Sequence, residues 1–540
     1  MKKKTFLCLI LTAAIFLSAF STFRNEQGMD GANVVSSVTP EDTADCGAIW
    51  ANKFSTKGFS CNSIPIMGAN GIYIVNSNTL YELSYANGQV LRKTTLKEKM
   101  DSVCNMLLEE HFLYIPLANG TMECVDINSM TSLWQSESFG GQSLSTTFYH
   151  NGYLYAGTTN VLSNGTTTGL FYCLNAKDGS TVWTYEDKDH PGGYYWSGAI
   201  VYEDALYFTG DNGILVSHSL TEPVVYDTAV LTTANIRAGL TYHKETDALY
   251  TVAKDGTLFQ IQCGNQKITK VSSGKIMNGA NFVTCTSTPT IYNNRLYVGC
   301  MAGQYGYVCI MDALTLKPIY QVKGFQNAEV KSSPLVSTRG SSTGEVTVYF
   351  SMNALPGGLY AFKDTEGKTS ASLHTLYIPQ AKQYCLSSIT ADDKGRLYYS
   401  NDSGTLFCVT LAKDIPATST PTVTSIPAAT NTPTVSNSPA PAAKKSVSKP
   451  KKPYSVKVKK SKKKYKVTWK KKSKKYQTII SYRYGKGKWK KKTIKKNTAA
   501  TIKKGKKRLQ IRLRCKIKNS PNGFTPLIRK PFHFAPNMLR

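Results

Sequence analysis

The stretch GLFYCLNAKDGSTVW at residues 169–183 is restated along the chain in other letters. An apolar-aromatic-small-apolar tetrad starts at Phe171, and counterparts start at Leu80, Met122, Leu215, Leu258, Val308, Leu359 and Leu406, those at Met122, Leu215 and Leu359 being looser. Successive copies lie 42 to 51 residues apart. A second ladder keeps the same register, because an aliphatic residue followed by tyrosine precedes each tetrad, at Tyr73, Tyr114, Tyr155, Tyr207, Tyr250, Tyr297, Tyr349 and Tyr398. A unit of this length cannot bury an apolar face alone and must stack on its neighbours.

Turn residues punctuate each unit: Asp211-Asn212-Gly213, Asp255-Gly256 and Ser403-Gly404 between the ladders, Asn151-Gly152 and Asn293-Asn294 before the tyrosines. Short Tyr/Val/Ile/Leu runs joined by such turns are antiparallel strands. The expectation is an all-β chain with an eight-bladed β-propeller over residues 46–413. Units two and three continue to a fourth strand ending at Trp134 and Trp183, whereas the eighth runs out after Val409. An outer edge left bare invites aggregation. AIWANKF at 48–54 carries Trp50 where the other units place tryptophan, so this early segment is expected to complete the eighth blade.

The units resemble the PQQ-like β-propeller repeat, whose wording is a Tyr-Val-Gly strand followed by Asp-Gly-x-Leu-Tyr-Ala-Leu-Asp-Ala-x-Thr-Gly-x-x-x-Trp. LYAGTT with LFYCLNAKDGSTVW matches best, and the runs KSSPLVSTRG, PGGLYAFKDTEGKT and LYYSNDSGTLFCV resemble surface propellers of Gram-positive Firmicutes. Quinoprotein dehydrogenases of related fold hold their quinone with adjacent cysteines and a Ca²⁺ ion, and this chain has no Cys-Cys pair. Its seven histidines are scattered, and no G-x-S-x-G or phosphate loop occurs. The expectation is therefore a binding protein, with no catalytic residue, cofactor or metal. A quinone-dependent dehydrogenase and an envelope assembly scaffold are the alternatives. Cys124, Cys173 and Cys408 sit where the repeat places alanine and read as small buried hydrophobes. The pairs Cys46 with Cys61 and Cys285 with Cys300 are left open as disulfides.

Met1-Lys2-Lys3-Lys4 and an apolar run to Phe20 read as a secretory signal over residues 1–21, with no later spanning segment. Residues 414–452 are a Thr/Ser/Pro/Ala-rich linker. Beyond it the charge is lopsided: residues 444–540 hold 37 Lys and Arg and no acidic residue, while residues 22–443 hold 26 against 34 Asp and Glu, a net −8. Over 453–537 the runs YKVTW, IISYRY and RLQIRLRCKI alternate apolar with polar residues, as half-buried strands do. They resemble a fibronectin type III sandwich with Trp469 in its core, although Leu509 stands where a corner tyrosine is expected.

A surface so cationic calls for an anionic polymer. Outside a Gram-positive cell the candidate is wall teichoic acid, with nucleic acid and host glycans as rivals, and the candidate contacts are Lys486, Lys488, Lys490, Lys491, Lys492, Lys503, Lys504, Lys506 and Lys507. An unidentified protein or glycan ligand is expected at the propeller's channel mouth or on its loops. The long connection YEDKDHPGGYYWSG brings His190, Tyr194, Tyr195 and Trp196 there, unless Tyr195 and Trp196 belong to the core. The whole reads as a monomeric cell-surface protein.

Overall fold

The computed structural model divides into two units, Met1–Ala429 and Thr430–Arg540. It describes residues 33–36, 39–41, 46–101, 105–163, 165–280, 282–340, 343–415 and 423–425 of the first, and seven strands between 454 and 530 of the second. The segment 1–21, expected to be a secretory signal, lies outside the described residues.

The first unit is a propeller of eight sheets. Blade four shows the plan: Ala199–Tyr202, Ala205–Thr209, Ile214–His218 and Val225–Val230 pair in chain order, each antiparallel to the next. All eight ladder tyrosines fall on second strands and all eight tetrads on third strands. In blade eight, Thr390–Ala391, Leu397–Asn401 and Thr405–Leu411 receive their fourth strand from Cys46–Lys53, paired antiparallel with Thr405–Leu411. The amino-terminal segment thus closes the ring, as its tryptophan suggests.

Packing explains the repeat wording. The buried apolar side chains form eight clusters, each joining one blade to the next, and the last unites Trp50, Phe54, Tyr398 and Leu406 of blade eight with Ile72, Ile74 and Tyr81 of blade one. Each ladder tyrosine is at most 2 % exposed. Several of their hydroxyls reach forward: Tyr114 donates to the Ala176 carbonyl (3.2 Å), Tyr155 to Leu220 (3.0 Å) and Tyr250 to Ala313 (2.8 Å), each in the following blade. A phenylalanine would fill the space and lose this link. Trp50, Trp134 and Trp183 stand opposite Cys408, Cys124 and Cys173, the three cysteines at alanine positions. Glycine faces the tryptophan from the next blade: a Cβ at Gly88 would come within 2.4 Å of the Trp50 ring, and one at Gly179 within 2.4 Å of Trp134.

Two short segments extend the propeller beyond its repeats. Val34–Val35 adds parallel to Leu335–Gly340 of blade seven, and Val423–Ser425 adds parallel to Cys46–Lys53. A two-residue strand carries no readable period, which is why the sequence places the propeller's start at 46. Neither open cysteine pair is joined: Cys46 donates to the Leu376 carbonyl, Cys61 to Asp402 and Cys285 to the Gly299 carbonyl.

The second unit holds two sheets. One orders Tyr454–Lys460, Lys464–Lys470 and Ala499–Lys503, and the other Lys490–Ile494, Tyr476–Tyr484, Leu509–Ile517 and Ile528–Lys530. Tyr465, Val467, Ile480, Ala500 and Ile502 are its described buried residues. No helix among the described residues is long and apolar enough to cross a membrane.

Candidate functional site

The connections that lead into the blades' first strands bring residues to one small cavity of about 50 Å³. Its lining comes from seven of the eight blades: Ile64, Asn105, Thr146, Trp196, Thr286 and Thr288, Lys331 and Ser333, Leu386 and Ser388. This is the mouth of the central channel. Hydroxyls bind its wall from blade to blade, since the Gly239 amide donates to Thr288 Oγ1 (2.9 Å), the Thr288 amide to Ser333 Oγ (3.1 Å) and the Ser333 amide to Ser388 Oγ (3.1 Å). The Ser/Thr-rich runs TSTPT, KSSPL and LSSIT are therefore the channel wall.

The four residues expected on the long connection separate. Tyr194 is core, 3 % exposed between Phe171 and Phe208. His190 is exposed on the loop beside Asp187 (3.6 Å). Trp196 lines the cavity, and Tyr195 stands beside it with ring centroids 4.6 Å apart. Trp196 holds φ at +59°, a region costly for a bulky side chain, and such geometry survives where its surroundings fix it. Here the next residue's carbonyl, on Ser197, accepts from the Thr146 amide at 2.8 Å.

Charge around the mouth is matched. Arg237 lies 4.4 Å over the Tyr195 ring and forms two bonds to buried Asp211, at 2.9 and 3.0 Å. Lys331 approaches Glu329 at 3.4 Å and lies 5.7 Å from the Trp196 ring. Burial raises the carboxyls of Glu329 and Asp101 above the usual range. Three polar atoms on residues of the lining are inaccessible to water and have no hydrogen-bond partner among the described residues: Asn105 Oδ1, Trp196 Nε1 and Thr286 Oγ1.

Asn105, Thr286 and Lys331 escape sequence reasoning because each sits in an irregular connection. A signal nevertheless exists: Ile64, Asn105, Thr146 and Thr288 all stand nine residues before their ladder tyrosines. In the second unit, Lys490, Lys491 and Lys492 lie on one strand and Lys503 on another, with Lys490, Lys492 and Lys503 exposed. Lys486, Lys488, Lys504, Lys506 and Lys507 lie outside the described residues.

The quinone that the resemblance brings to mind does not fit these residues. A site enclosing a ligand of that size occupies roughly 300 Å³ or more, against about 50 Å³ here. The only cation among the described residues of the lining, Lys331, is already paired, whereas the quinone carries three carboxylates. Among the described residues no three His, Cys, Asp or Glu side chains are grouped to hold a metal.

No curated protein matches the sequence significantly. Among solved structures, BamB from Moraxella catarrhalis is 12 % identical, with 68 % of this chain and 99 % of that one covered at a TM-score of 0.50. Quinohemoprotein alcohol dehydrogenase from Comamonas testosteroni is 10 % identical, covering 69 % and 78 % at a TM-score of 0.52. The C-terminal WD40 domain of Sif2 is 10 % identical, covering 68 % and 99 % at a TM-score of 0.52. Such likeness spans unrelated activities and shows the fold alone. Residues 32–270 match the family described as outer membrane protein assembly factor BamB, so the chain is an eight-bladed propeller whose first five blades are similar to that family's repeat.

Proposed function

We propose that this is a secreted cell-surface binding protein of a Gram-positive bacterium, in which the propeller presents an interaction face and a fibronectin III-like domain holds it to anionic wall polymer such as teichoic acid. The observation that carries the reading is the segregation of charge: 37 basic and no acidic residues over 444–540, against a net −8 over 22–443. The sheet orders of the second unit, three strands and four, support a sandwich of that type. Exposed Lys490, Lys492 and Lys503 support a cationic outer face. A sequence-blind electrostatic hold of this kind weakens as salt rises.

The propeller's role in this reading is non-enzymatic display. A second reading, an envelope assembly scaffold, is favoured by the match of residues 32–270 to the BamB family. Both place the protein in the cell envelope. Fractionating the source cells at low and high salt tests the anchor, and cross-linking followed by identification of the captured protein tests the scaffold. Retention in the wall fraction that high salt abolishes supports the anchor; an envelope assembly machine captured through the propeller favours the scaffold.

A further inference from the structure

We propose that the inner edge of blade seven's first strand is a strand-accepting site, and that the chain's own residues 33–41 hold it as a strap running down the central channel. The inference stands whether the propeller is a display module or a scaffold.

Strand length singles out this edge. The first strand of blade seven, Leu335–Gly340, has six residues, whereas the described first strands of the other blades have two to four. A first strand pairs outward with the second, so its other side turns a row of backbone N–H and C=O groups to the channel. A very short edge templates little, but a long one invites another strand. Val34–Val35 answers that invitation in parallel register, Val34 opposite Val336 and Val35 opposite Ser337, and the Val336 amide donates to the Asn33 carbonyl at 3.0 Å. The added strand also abuts Thr290–Tyr292, the first strand of blade six, which puts it inside the ring.

The strap is fastened along its course. Val34 packs against the cluster joining blades six and seven, and Val35, 7 % exposed, belongs to the cluster joining seven and eight. At the mouth, Asn33 Nδ2 donates to the Pro334 carbonyl (3.0 Å), next to Ser333 of the lining. At the opposite face, Arg339 donates to the Thr39 carbonyl (3.0 Å), and Glu41 pairs with Arg339 (2.9 Å) and Lys363 (3.1 Å). Tyr349 shows that the strap is built in. The ladder tyrosines Tyr114, Tyr155 and Tyr250 donate to the following blade, whereas Tyr349 donates to Thr39 Oγ1 and the Pro40 carbonyl. Thr39 is wholly buried. The strap thus supplies an acceptor that a neighbouring blade supplies elsewhere. An edge so filled admits no second strand, which makes the strap an autoinhibitory contact.

The test uses the full chain, with Val34→Asp and Val35→Asp together to unseat the strap, since a carboxylate is costly in an apolar cluster. Hydrogen exchange at the Val336 amide should quicken about a hundredfold while that of Tyr207 in blade four stays unchanged. A synthetic peptide of residues 32–41 should bind this variant saturably and restore the protection of Val336. The native chain, its edge filled, should not bind the peptide. A variant that keeps Val336 protected, a released edge that refuses the peptide, or a native chain that binds it equally well would overturn the proposal. If Tyr207 loses protection too, the variant has unfolded and a cysteine pair decides. Paired strands lie ~4.8 Å apart, within the ~4.4–6.8 Å between Cα atoms that a disulfide spans. Val34→Cys with Val336→Cys should therefore cross-link under oxidised glutathione and leave the melting curve native. Failure of that pair, or equal cross-linking of Val34→Cys with Val201→Cys on the first strand of blade four, would overturn the strap.

Discussion

Asp364 shows how one residue fastens two blades. Its carboxylate, fully buried on blade seven, accepts from Arg295 at 2.7 and 2.9 Å, from Tyr297 at 2.8 Å and from Tyr320 at 2.6 Å, all on blade six. Arg295 is itself nearly buried, its side chain 12 % exposed. Removing one partner of such a pair leaves the other charge without compensation, at a cost of about 3–5 kcal/mol. Asp364→Ala should lose that much stability in urea unfolding, and a loss below about 1 kcal/mol would contradict the staple. Asp402 behaves oppositely. Burial raises its carboxyl from the ordinary 3.8 to about 6. A value raised in the folded state means that the protonated form favours folding, so this contribution is complete below about pH 4 and withdrawn as pH rises through about 6. Asp402→Asn should therefore raise the melting temperature at pH 8 and change it little near pH 4; an equal gain at both would place the effect elsewhere.

At the scale of elements, the ring depends on a strand far from its partners in sequence. Cys46–Lys53 covers the edge of blade eight, and Trp50, 5 % exposed, fills the socket between blades eight and one. Trp50→Ala should cost about 3–5 kcal/mol, as for other buried large-to-small changes. Deleting residues 46–53 should destabilise the whole propeller, and an unchanged melting curve would show that closure lies elsewhere. This latch was legible because Trp50 repeats the position of Trp134 and Trp183, and a buried side chain must obey the packing of its blade. The tyrosine ladder was legible for the same reason. The channel mouth was legible only through Tyr195 and Trp196, because its other residues come from connections in several blades and become neighbours only when the ring closes. Tyr194, in the same run, turned to the core, since a short aromatic run does not announce which ring faces inward.

At the scale of the whole molecule, two bodies of opposite charge share one chain, and their union makes the anchoring hypothesis quantitative. The 37 basic side chains over 444–540 repel one another wherever the domain folds, and an anionic polymer relieves that repulsion while releasing its own counterions. No particular pocket is required, so single lysine changes should each matter little. Replacing Lys488, Lys490, Lys491 and Lys492 together with glutamate reverses the sign along the strand Lys490–Ile494 and just before it in sequence, and should weaken retention on purified teichoic-acid-bearing wall markedly. The Debye length falls from ~10 Å at 0.1 M to ~3 Å at 1 M salt, so retention of the full chain should collapse across that range. A chain of residues 22–415, with a net charge of −8, should not be retained at any salt concentration. Wall stripped of teichoic acid that still holds the full chain, with retention indifferent to salt, would mean that the basic domain recognises a specific wall structure and that its charge is not what binds.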